Sequence, residues 1–327
     1  MKRDVVCELC PKECRIPEGA AGDCRVRVNM GGKLRATTYA RPSSVHIDPI
    51  EKKPLNHFLP ASRIFSIATA GCNLHCRNCQ NWQLSQRDGA QMEMRYRADP
   101  KDVVDAAIRT KCPSIAYTYS DPVVYYEYAY DASRLAREKG LKNVLVTAGY
   151  INRKPLKRLL RYIDATNTDL KYFEDAPYRK YSDGSLQPVL DCLVTQKEMG
   201  VWLEVTNLVI PTLNDDMAMI RRMAKWMVSN LDEDTPLHFS RFFPQYQMRN
   251  LPSTPVATLL RARSEALDAG LKYVYIGNMH GHPAESTICP TDGKVVVRRI
   301  GYHVPEIHIK DGRCEYCKTP IAGRWSL

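Results

Sequence analysis

Between residues 60 and 277 the chain alternates between two hydrophobic periods. Short runs rich in β-branched and other apolar residues predict strands at 64–68, 114–119, 141–147, 165–170, 201–205, 237–242 and 271–276. Between these runs apolar residues recur every three or four positions, as in Ile220, Met223, Ala224 and Met227, which is the spacing of one helix face. Strands that alternate with helices predict parallel βα units, in a barrel or in a doubly wound sheet.

Local signals mark where the predicted helices begin and end. Gly140, Gly200 and Gly270 each stand between a helical pattern and the next strand, where glycine can adopt the left-handed conformation that ends a helix. Four residues are predicted to cap helix N-termini: Asp99, Asp121 and Thr254, each followed by a proline, and Asp215 before the helix with the Ile220 stripe. These signals give the α/β alternation its boundaries.

Two of the predicted strands have one polar face. Glu204 and Thr206 alternate with apolar neighbours, and so do His238 and Ser240. In a parallel barrel the surrounding helices cover the apolar face, so these four side chains are expected to point inward. Because a closed eight-stranded barrel fills its interior with apolar side chains, a polar interior favours a wider, incomplete barrel that holds a polar ligand.

Composition narrows the class of protein. The chain has 327 residues, of which 44% are apolar and 25% charged, which excludes collagen-like and wholly disordered proteins. It has no apolar run of the roughly 18 residues that a spanning helix needs and no signal-peptide pattern, so we expect a cytoplasmic protein that does not contact a membrane. The net charge of +11 is spread along the chain, which is typical of a solvated surface.

Three of the twelve cysteines follow the first predicted strand directly. Cys72, Cys76 and Cys79, called here the cysteine trio, have the spacing C-x3-C-x2-C. Clustered cysteines in a reducing compartment indicate metal binding or catalysis. Three thiolates can hold a [4Fe-4S] cluster and leave one iron without a protein ligand, which is typical of a catalytic centre. The alternatives are a structural zinc site that uses His75 as its fourth ligand, and thiols without metal.

Both ends of the chain also carry cysteines, and we predict an N-terminal extension at 1–60, a barrel at 61–277 and a C-terminal extension at 278–327. The N-terminal quartet consists of Cys7, Cys10, Cys14 and Cys24, whose spacing suits either tetrahedral zinc or an auxiliary iron–sulfur cluster. Of these a structural zinc is favoured, and a quartet without metal is the remaining alternative. The C-terminal candidates for a third metal site are Cys289, Cys314 and Cys317, with Asp292 or one of His280, His282, His303 and His308 as the further ligand. A degenerate C-terminal site is an equal alternative. The isolated Cys112 and Cys192 are expected to be ordinary buried side chains.

Motifs along nearly the whole chain resemble one family. They are the trio loop, residues 117–122 (YTYSDP), 169–171 (DLK), 204–206 (EVT), 238–242 (HFSRF) and 277–283 (GNMHGHP), and both cysteine-bearing ends. The chain resembles the AmmeMemoRadiSam-system radical S-adenosylmethionine (SAM) proteins, relatives of the pyruvate formate-lyase activating enzyme. The resemblance implies a partial (β/α)6 TIM-like barrel with cysteine-bearing extensions at both ends.

The resemblance also implies a reaction and its cofactors. The cysteine trio would hold a [4Fe-4S] cluster whose fourth iron is chelated by the amino and carboxylate groups of SAM. A reductant of the flavodoxin or ferredoxin type would drive cleavage of SAM to methionine and a 5′-deoxyadenosyl radical, which removes hydrogen from a substrate. The cofactor carries that chemistry, and the protein supplies position and electrostatics.

Residues beyond the trio are expected to contact SAM on the same grounds. Ser120 and Asp121 occupy the place of a carboxylate motif that binds the SAM amine, although Asp121 alternatively caps a helix before Pro122. Gly149 would allow close approach of the ligand. Asp169 and Lys171 face the same side of a strand and would bind SAM, or else form a solvated strand end. Glu204 and His238, on the polar faces, complete the predicted cofactor site.

The substrate stays open at this point. One alternative is a glycyl-radical activase, which abstracts hydrogen from a glycine of a partner protein. The other is modification of a small molecule or partner together with the Memo-like and AMME-type proteins of the family name. A different class of function, a zinc-containing basic protein that binds nucleic acid, would use the terminal cysteines and the positive charge, but the aromatic and basic interleaving of single-strand binders is not evident.

Overall fold

The computed structural model describes residues 4–89 and 97–327. The chain divides into two compact units. The first comprises Met1–Asp48, Arg63–Thr166 and Asp175–Val201, and the second comprises Pro49–Ser62, Asn167–Glu174 and Trp202–Leu327. The cysteine-bearing ends therefore belong to larger units, and the division predicted at residues 60 and 277 stays a prediction. None of the described helices is long and apolar enough to cross a membrane.

The strands and helices alternate through the middle of the chain. The strands are β1 Val5–Val6, β2 Arg15–Ile16, β3 Arg27–Met30, β4 Lys33–Ala36, β5 Ser44–Pro49, β6 Arg63–Ala68, β7 Ser114–Tyr117, β8 Lys142–Thr147, β9 Ala165–Asp169, β10 Trp202–Val209, β11 Leu237–Arg241, β12 Val274–Gly277, β13 Thr287–Ile288, β14 Val295–Ile300, β15 His303–Ile307, β16 Ile309–Lys310 and β17 Arg313–Cys314. The helices are α1 Trp82–Ser85, α2 Pro100–Arg109, α3 Tyr126–Glu138, α4 Arg153–Leu160, α5 Asp175–Ser182, α6 Leu186–Glu198, α7 Met217–Asn230 and α8 Val256–Asp268. All seven predicted strands are present from β6 to β12.

In the first unit β6, β7 and β8 are parallel neighbours in chain order. Ile64 lies opposite Ser114, which in turn lies opposite Lys142. Parallel pairing needs a crossover between successive strands, and α2 and α3 provide it. Two small antiparallel pairs, β1 with β2 and β3 with β4, carry the N-terminal cysteines. The carboxyl ends of parallel strands are where such folds place their chemistry, and the cysteine trio follows β6.

In the second unit β10, β11 and β12 are also parallel neighbours. Thr206 lies opposite His238, and Leu237 lies opposite Val274. The register therefore puts the polar face of β10 beside the polar face of β11 on the same side of the sheet, as the sequence predicts. The antiparallel strands β13, β14 and β15 and the pair of β16 with β17 follow and carry the C-terminal cysteines.

The predicted helix signals are confirmed at some positions and wrong at others. Gly140, Gly200 and Gly270 all have positive φ and end α3, α6 and α8. Asp99 forms a capping box with Asp102 at the start of α2. The buried stripe of α7 consists of Ile220, Met223, Ala224 and Met227, as predicted.

Three predicted caps need correction. The cap of α7 is Asp216, whose side chain accepts from the Met219 N–H, whereas Asp215 accepts from the Thr212 N–H. The hydroxyl of Thr254 donates to the Val209 carbonyl, so it is not the cap of α8. Asp121 is not a cap either, because α3 begins only at Tyr126. Side-chain partners outside the helix explain these differences, since a short polar side chain can satisfy other backbone groups equally well.

Candidate active site

The cysteine trio lies on the loop that joins β6 to α1. Gly71 precedes Cys72, and its N–H donates to the Leu84 carbonyl at 3.1 Å. At the far side of the loop the Cys79 N–H donates to the Cys76 carbonyl at 3.1 Å, which forms a tight turn. The three thiols are therefore carried by one backbone segment directly after a parallel strand, as predicted.

The end of α5 and helix α1 support the trio. The Cys76 sulfur lies 3.4 Å from the Ser182 hydroxyl, and the Cys79 sulfur lies 3.1 Å from the Ser85 hydroxyl. The His75 N–H donates to the Ser182 carbonyl at 3.0 Å, so the loop backbone is fixed to the same residue. Hydroxyl groups that donate to thiolates adjust the potential of an iron–sulfur cluster, which fits this arrangement.

The sulfur positions fit a cluster better than a single ion. Zinc with four ligands at about 2.3 Å draws its thiolates to within about 4 Å of one another. Among the described residues, some groups of three or more candidate metal ligands have ligand atoms that all lie within 4.8 Å of one another. The cysteine trio is not one of these groups, so its three sulfurs are not gathered that closely. Burial raises the pKa of the Cys72 thiol well above its usual range, so loading of iron must release a proton there.

His75 was the alternative fourth ligand for zinc. Its Nδ1 lies 2.8 Å from the Gln86 side-chain oxygen, and its Nε2 lies 2.8 Å from an Asp23 carboxylate oxygen. Both ring nitrogens are thus occupied by oxygen partners. The geometry favours the three-thiol cluster over a zinc site of three cysteines and His75.

Gly71 makes the tightest approach between the trio loop and the N-terminal segment. Its φ is +89°, and a Cβ on it would lie 2.7 Å from the Cys24 carbonyl oxygen and 2.8 Å from a Val26 methyl carbon. We expect Gly71→Ala to lower the free energy of unfolding by about 2–4 kcal/mol, from backbone strain and overpacking together. Urea unfolding measures this change.

The matched control is Gly140→Ala, because Gly140 has a similar φ of +76° and no atom lies within 4 Å of the place that its Cβ would take. In that variant only backbone strain is expected to lower the free energy of unfolding, by about 1–2 kcal/mol. Equal losses in the two variants would show that the contact of Gly71 with Cys24 and Val26 costs nothing.

An ion-pair network joins His75 to the N-terminal segment. Asp23 accepts from His75 at 2.8 Å and from Lys12 at 2.5 Å, and Lys12 also lies 2.6 Å from Asp183. The hydrogen bond to Asp23 raises the pKa of His75, and the same bond lowers the pKa of Asp23. The pair should therefore stabilise the protein where histidine is protonated and aspartate is ionised.

This network gives a signed pH dependence. Because the pKa of His75 is raised on folding, protonated His75 stabilises the folded protein fully at pH values below its unfolded pKa near 6.5. This stabilisation is lost as the pH rises through the folded pKa. Because the pKa of Asp23 is lowered on folding, ionised Asp23 stabilises the folded protein above about pH 4, and this stabilisation is lost on acidification. In a double-mutant cycle of His75→Ala and Asp23→Asn we expect a coupling of at most about 1 kcal/mol at pH 5.5, since both groups are partly exposed. The coupling should fall towards zero well above pH 7. A coupling that grows with pH would contradict this assignment.

Ser120, Asp121 and Gly149 lie in the first unit with the trio. The Ser120 hydroxyl donates to the Thr69 carbonyl at 2.7 Å, which ties this residue to the start of the trio loop. Asp121 accepts from the Thr147 hydroxyl, from the Ala148 N–H at 2.8 Å and from the Val123 N–H at 3.1 Å. The Gly149 N–H donates to the Thr147 hydroxyl. The structure thus joins Asp121 and Gly149 through Thr147 at the ends of β7 and β8, while the Ser120 side chain bonds to the start of the trio loop.

Asp169 and Lys171 lie at the end of β9 in the second unit. The Lys171 ammonium is 2.6 Å from an Asp169 carboxylate oxygen, and both side chains are partly exposed. Asn207 and Asn214 donate to the Lys171 carbonyl, which fixes the backbone there. β9 ends at Asp169, so Lys171 lies just beyond the strand, and the two side chains form an ion pair.

Glu204 and His238 form the most buried hydrogen-bonded pair of the predicted site residues. The Glu204 Oε1 accepts from the His57 N–H at 2.8 Å and from the Trp202 indole at 3.0 Å. Its Oε2 accepts from the Asn56 N–H at 2.9 Å and from His238 Nε2 at 2.7 Å. Burial opposes ionisation, but the hydrogen bond from His238 and the other donors hold the pKa of Glu204 at about 2.

A carboxylate has about four sites for hydrogen-bond donors, and protein groups fill all four on Glu204. These contacts give Glu204 a structural role in its unit, and its predicted contact with SAM stays a prediction. His57 was not predicted as a functional residue. Its Nδ1 donates to the Ala322 carbonyl at 2.6 Å, and its Nε2 bonds to the Tyr275 hydroxyl. Burial lowers the pKa of His57 to about 4, so it is neutral. No local sequence signal marks a histidine whose partners are this far away in the chain.

The structure gathers the two terminal cysteine sets separately. The N-terminal quartet surrounds one cavity in the first unit. In the second unit the C-terminal group consists of Cys289, Asp292, Cys314 and Cys317, whose ligand atoms all lie within 4.8 Å of one another. A hydrogen bond from the Lys294 N–H lowers the pKa of Asp292, which keeps it ionised. Of the five residues predicted as a further ligand, Asp292 is the one that lies with the three cysteines, and its role as a ligand stays a prediction. Cys112 and Cys192 are buried as predicted.

Comparisons with known proteins agree with this geometry. The family model of the radical SAM superfamily matches residues 66–224, which include the cysteine trio. The chain is 44% identical over 319 residues to an uncharacterized protein of Methanocaldococcus jannaschii, covering 97% of this chain and 95% of that protein. It is 22% identical over 160 residues to the pyruvate formate-lyase-activating enzyme of Clostridium pasteurianum, covering 47% of this chain and 65% of that enzyme.

Among solved structures, a radical SAM methyltransferase from Sphaerobacter thermophilus is similar in fold. The TM-score is 0.53 at 14% identity, with 68% of each chain covered. The mixed α/β fold with parallel strands is thus typical of a partial radical SAM barrel, which confirms the predicted fold class. The matches favour an enzyme over the nucleic-acid-binding alternative.

Proposed function

Because residues 66–224 match the family model of the radical SAM superfamily and the chain is similar to a pyruvate formate-lyase-activating enzyme, we propose that it cleaves SAM at a [4Fe-4S] cluster on Cys72, Cys76 and Cys79 and directs the resulting radical to a specific hydrogen. Radical SAM enzymes use this cluster and SAM as cofactors, and a reductant is required. When bound, the cluster supplies the electron that breaks a carbon–sulfur bond of SAM. We further propose that the chain belongs to the AmmeMemoRadiSam-system branch, which the resemblance of its motifs supports.

The observation that carries the proposal is the trio loop itself. Three thiols lie on one loop after a parallel strand, and the candidate fourth protein ligand, His75, is bonded to Gln86 and Asp23. Three protein ligands leave one iron open for the amino and carboxylate groups of SAM. The protein contributes the loop support from Ser85 and Ser182 and the ordered network around Asp121.

We assign SAM-binding roles to the remaining predicted residues by the resemblance. In the first unit, Asp121 would receive the SAM amine, with Ser120 and Gly149 beside it. The Asp121 carboxylate already accepts from the Thr147 hydroxyl and the Ala148 N–H, which hold it in one orientation. Such preorganisation lowers the cost of binding. In the second unit, Asp169 and Lys171 would offer an acceptor and a cation.

The decisive experiment is anaerobic reconstitution with iron and sulfide, followed by EPR of the reduced protein with and without SAM and an assay for 5′-deoxyadenosine. We expect a cluster signal that changes on addition of SAM, and 5′-deoxyadenosine that depends on reductant. A reconstituted cluster whose signal ignores SAM, with no 5′-deoxyadenosine formed, would contradict the proposal.

Two substrate classes are separated by a second assay. Similarity to an activating enzyme supports abstraction from a backbone glycine of a partner protein, whereas the family resemblance also supports action with Memo-like or AMME-type partners. Reduced enzyme and SAM are incubated with a candidate glycyl-radical protein. A glycyl doublet in EPR supports activation; SAM cleavage without that doublet counts against it.

The role of Lys171 gives a further prediction. Removing its ammonium in Lys171→Ala should cost one charge-assisted contact, so SAM should bind about 10- to 100-fold more weakly while cluster iron is unchanged. Equilibrium dialysis with SAM and iron analysis measure the two quantities. The matched control is Lys272→Ala in the same unit, since Lys272 also pairs with carboxylates, of Glu233 and Asp234. Unchanged SAM affinity in Lys171→Ala would retire this assignment.

A further inference from the structure

We propose that the N-terminal quartet holds a second [4Fe-4S] cluster and that a zinc ion does not occupy it. The sequence spacing of Cys7, Cys10, Cys14 and Cys24 suits either metal, and the arrangement of the thiols in the first unit separates the two. Iron bound at the quartet can be measured without any reaction of SAM at the trio, so the proposal can be tested separately from the proposed function.

The fold gathers the quartet around one cavity. Strands β1 and β2 pair with Val5 opposite Ile16, which brings the segments around Cys7 and Cys14 together. The Cys7 N–H donates to the Cys14 carbonyl at 3.0 Å. All four cysteines line the cavity, and Cys7, Cys10 and Cys24 are buried. Four free thiols that share one cavity are typical of a metal centre.

The separation of the sulfurs decides which metal centre it is. A single zinc ion needs its four ligands about 2.3 Å from the metal, which holds the sulfurs within about 4 Å of one another. A cubane places one thiolate on each corner iron, so its sulfurs lie farther apart. Within the part of the chain that the structure describes, no three sulfurs of the quartet all lie within 4.8 Å of one another.

The same chain offers a reference for each kind of site. The ligand atoms of the C-terminal group all lie within 4.8 Å of one another, and its Cys289 and Cys317 sulfurs are 3.5 Å apart. The cysteine trio, which the family uses for a [4Fe-4S] cluster, is not gathered this closely. The quartet therefore resembles the trio and differs from the C-terminal group. Within one structure the thiols divide into two cluster sites and one single-ion site.

The lining of the cavity suits an anionic cluster. Two cationic side chains, Lys12 and Arg27, and one carboxylate, Asp23, line it together with the quartet, and Asp23 pairs with Lys12. Arg27 is buried and binds both carboxylate oxygens of Glu127 at 2.7 Å, while its Nε has no hydrogen-bond partner among the described residues. Four thiolates around a cluster leave it with net negative charge, and buried cations and N–H donors nearby stabilise such a charge.

The cavity also borders the trio loop. Asn73, directly after Cys72, lines the cavity and lies within hydrogen-bonding reach of the Cys10 thiol. The Cys24 carbonyl contacts Gly71, directly before Cys72. A cluster with four protein ligands has no open iron, so it can carry an electron but cannot bind SAM. The position of the quartet cluster next to the cysteine trio suits the transfer of an electron to a cluster on the trio.

The test is anaerobic reconstitution of the full chain and of a variant with Cys72→Ala, Cys76→Ala and Cys79→Ala. We expect about eight irons per wild-type chain and about four in the variant. The EPR signal of the reduced variant should not change when SAM is added. Zinc should amount to about one ion per chain in both, from the C-terminal group.

A second variant replaces the quartet by Cys7→Ser, Cys10→Ser, Cys14→Ser and Cys24→Ser, and should keep about four irons whose signal responds to SAM. The control, Cys112→Ser with Cys192→Ser, removes buried thiols outside both sets and should keep about eight irons. If the quartet variant fails to fold, the trio variant still decides the question.

A trio variant that binds no iron and about two zinc ions would overturn the proposal in favour of zinc, and one that binds no metal at the quartet would overturn it as well. Failure of the proposed function looks different. In that case the wild type would hold about eight irons yet show no response to SAM and form no 5′-deoxyadenosine, and the second cluster would stand.

Discussion

Replacing Cys76 by alanine is expected to abolish reductive cleavage of SAM. The substitution removes one of three thiolates that hold the cluster, and the neighbouring Ser182 hydroxyl cannot replace it as a ligand. Formation of 5′-deoxyadenosine with excess reductant should fall to the level of a control without enzyme. Mass spectrometry of the reaction measures the product.

The fold should survive this change. Cys76 is only partly buried, and its sulfur contacts a single hydroxyl at 3.4 Å, so the free energy of unfolding should change by less than about 1 kcal/mol. Cys112→Ala is the control, because it removes a buried thiol outside the loop and should retain SAM cleavage. Wild-type turnover by Cys76→Ala would place the chemistry at another site.

The second large effect is expected from Glu204→Gln. The carboxylate of Glu204 is fully buried and accepts four hydrogen bonds from protein donors. A glutamine amide has the same shape, but its NH₂ group would face two donors and leave them unpaired. Each buried donor that is left unpaired costs about 1–3 kcal/mol, so with two such donors we expect the free energy of unfolding to fall by about 2–6 kcal/mol.

Urea unfolding at neutral pH measures this loss, and the exposed Glu233→Gln is the matched control in the same unit. Glu233 pairs with Lys272 at the surface, so its variant should change stability by less than about 1 kcal/mol. Because the pKa of Glu204 is lowered to about 2, its contribution is present above the unfolded value near 4 and disappears as the pH falls through 2. Unchanged stability with weakened SAM binding would instead make Glu204 a cofactor ligand.

Hydrophobic periodicity was sufficient to predict the order of the elements. The seven strands from β6 to β12 and the helix ends at Gly140, Gly200 and Gly270 follow from patterns that span a few residues. Such patterns are local, because helices and strands each bury one face with a fixed period. The trio site was equally accessible, since its three thiols lie within one loop.

The rest depends on contacts between distant parts of the chain. Asp121 precedes a proline like a helix cap, yet its oxygens bind Thr147 and Ala148, and α3 starts four residues after Pro122. Glu204 lies on the polar face of β10 that the sequence predicts, but two of its hydrogen-bond donors, the N–H groups of Asn56 and His57, lie almost 150 positions earlier in the chain. Capping and parity rules describe what a side chain can do locally, and tertiary packing decides which partner it takes.

The cysteine sets illustrate the same limit for metals. The spacing of Cys7, Cys10, Cys14 and Cys24 is compatible with zinc and with an iron–sulfur cluster, because both need closely spaced thiolates. Only the distances between sulfurs distinguish the two centres. Asp292 was a candidate among five residues, and the structure selects it because it lies with Cys289, Cys314 and Cys317.

The missing side chain of Gly71 has a mechanical consequence. On one side of this residue is the Cys24 carbonyl, and on the other is the backbone that presents Cys72. A Cβ on Gly71 would lie 2.7 Å from the Cys24 carbonyl oxygen, so the backbone of the N-terminal segment and the backbone of the trio loop are in close contact there. Because this contact leaves no free space, we expect that a displacement of the backbone at Cys24, for example on loss of metal from the quartet, also displaces Gly71 and the neighbouring Cys72.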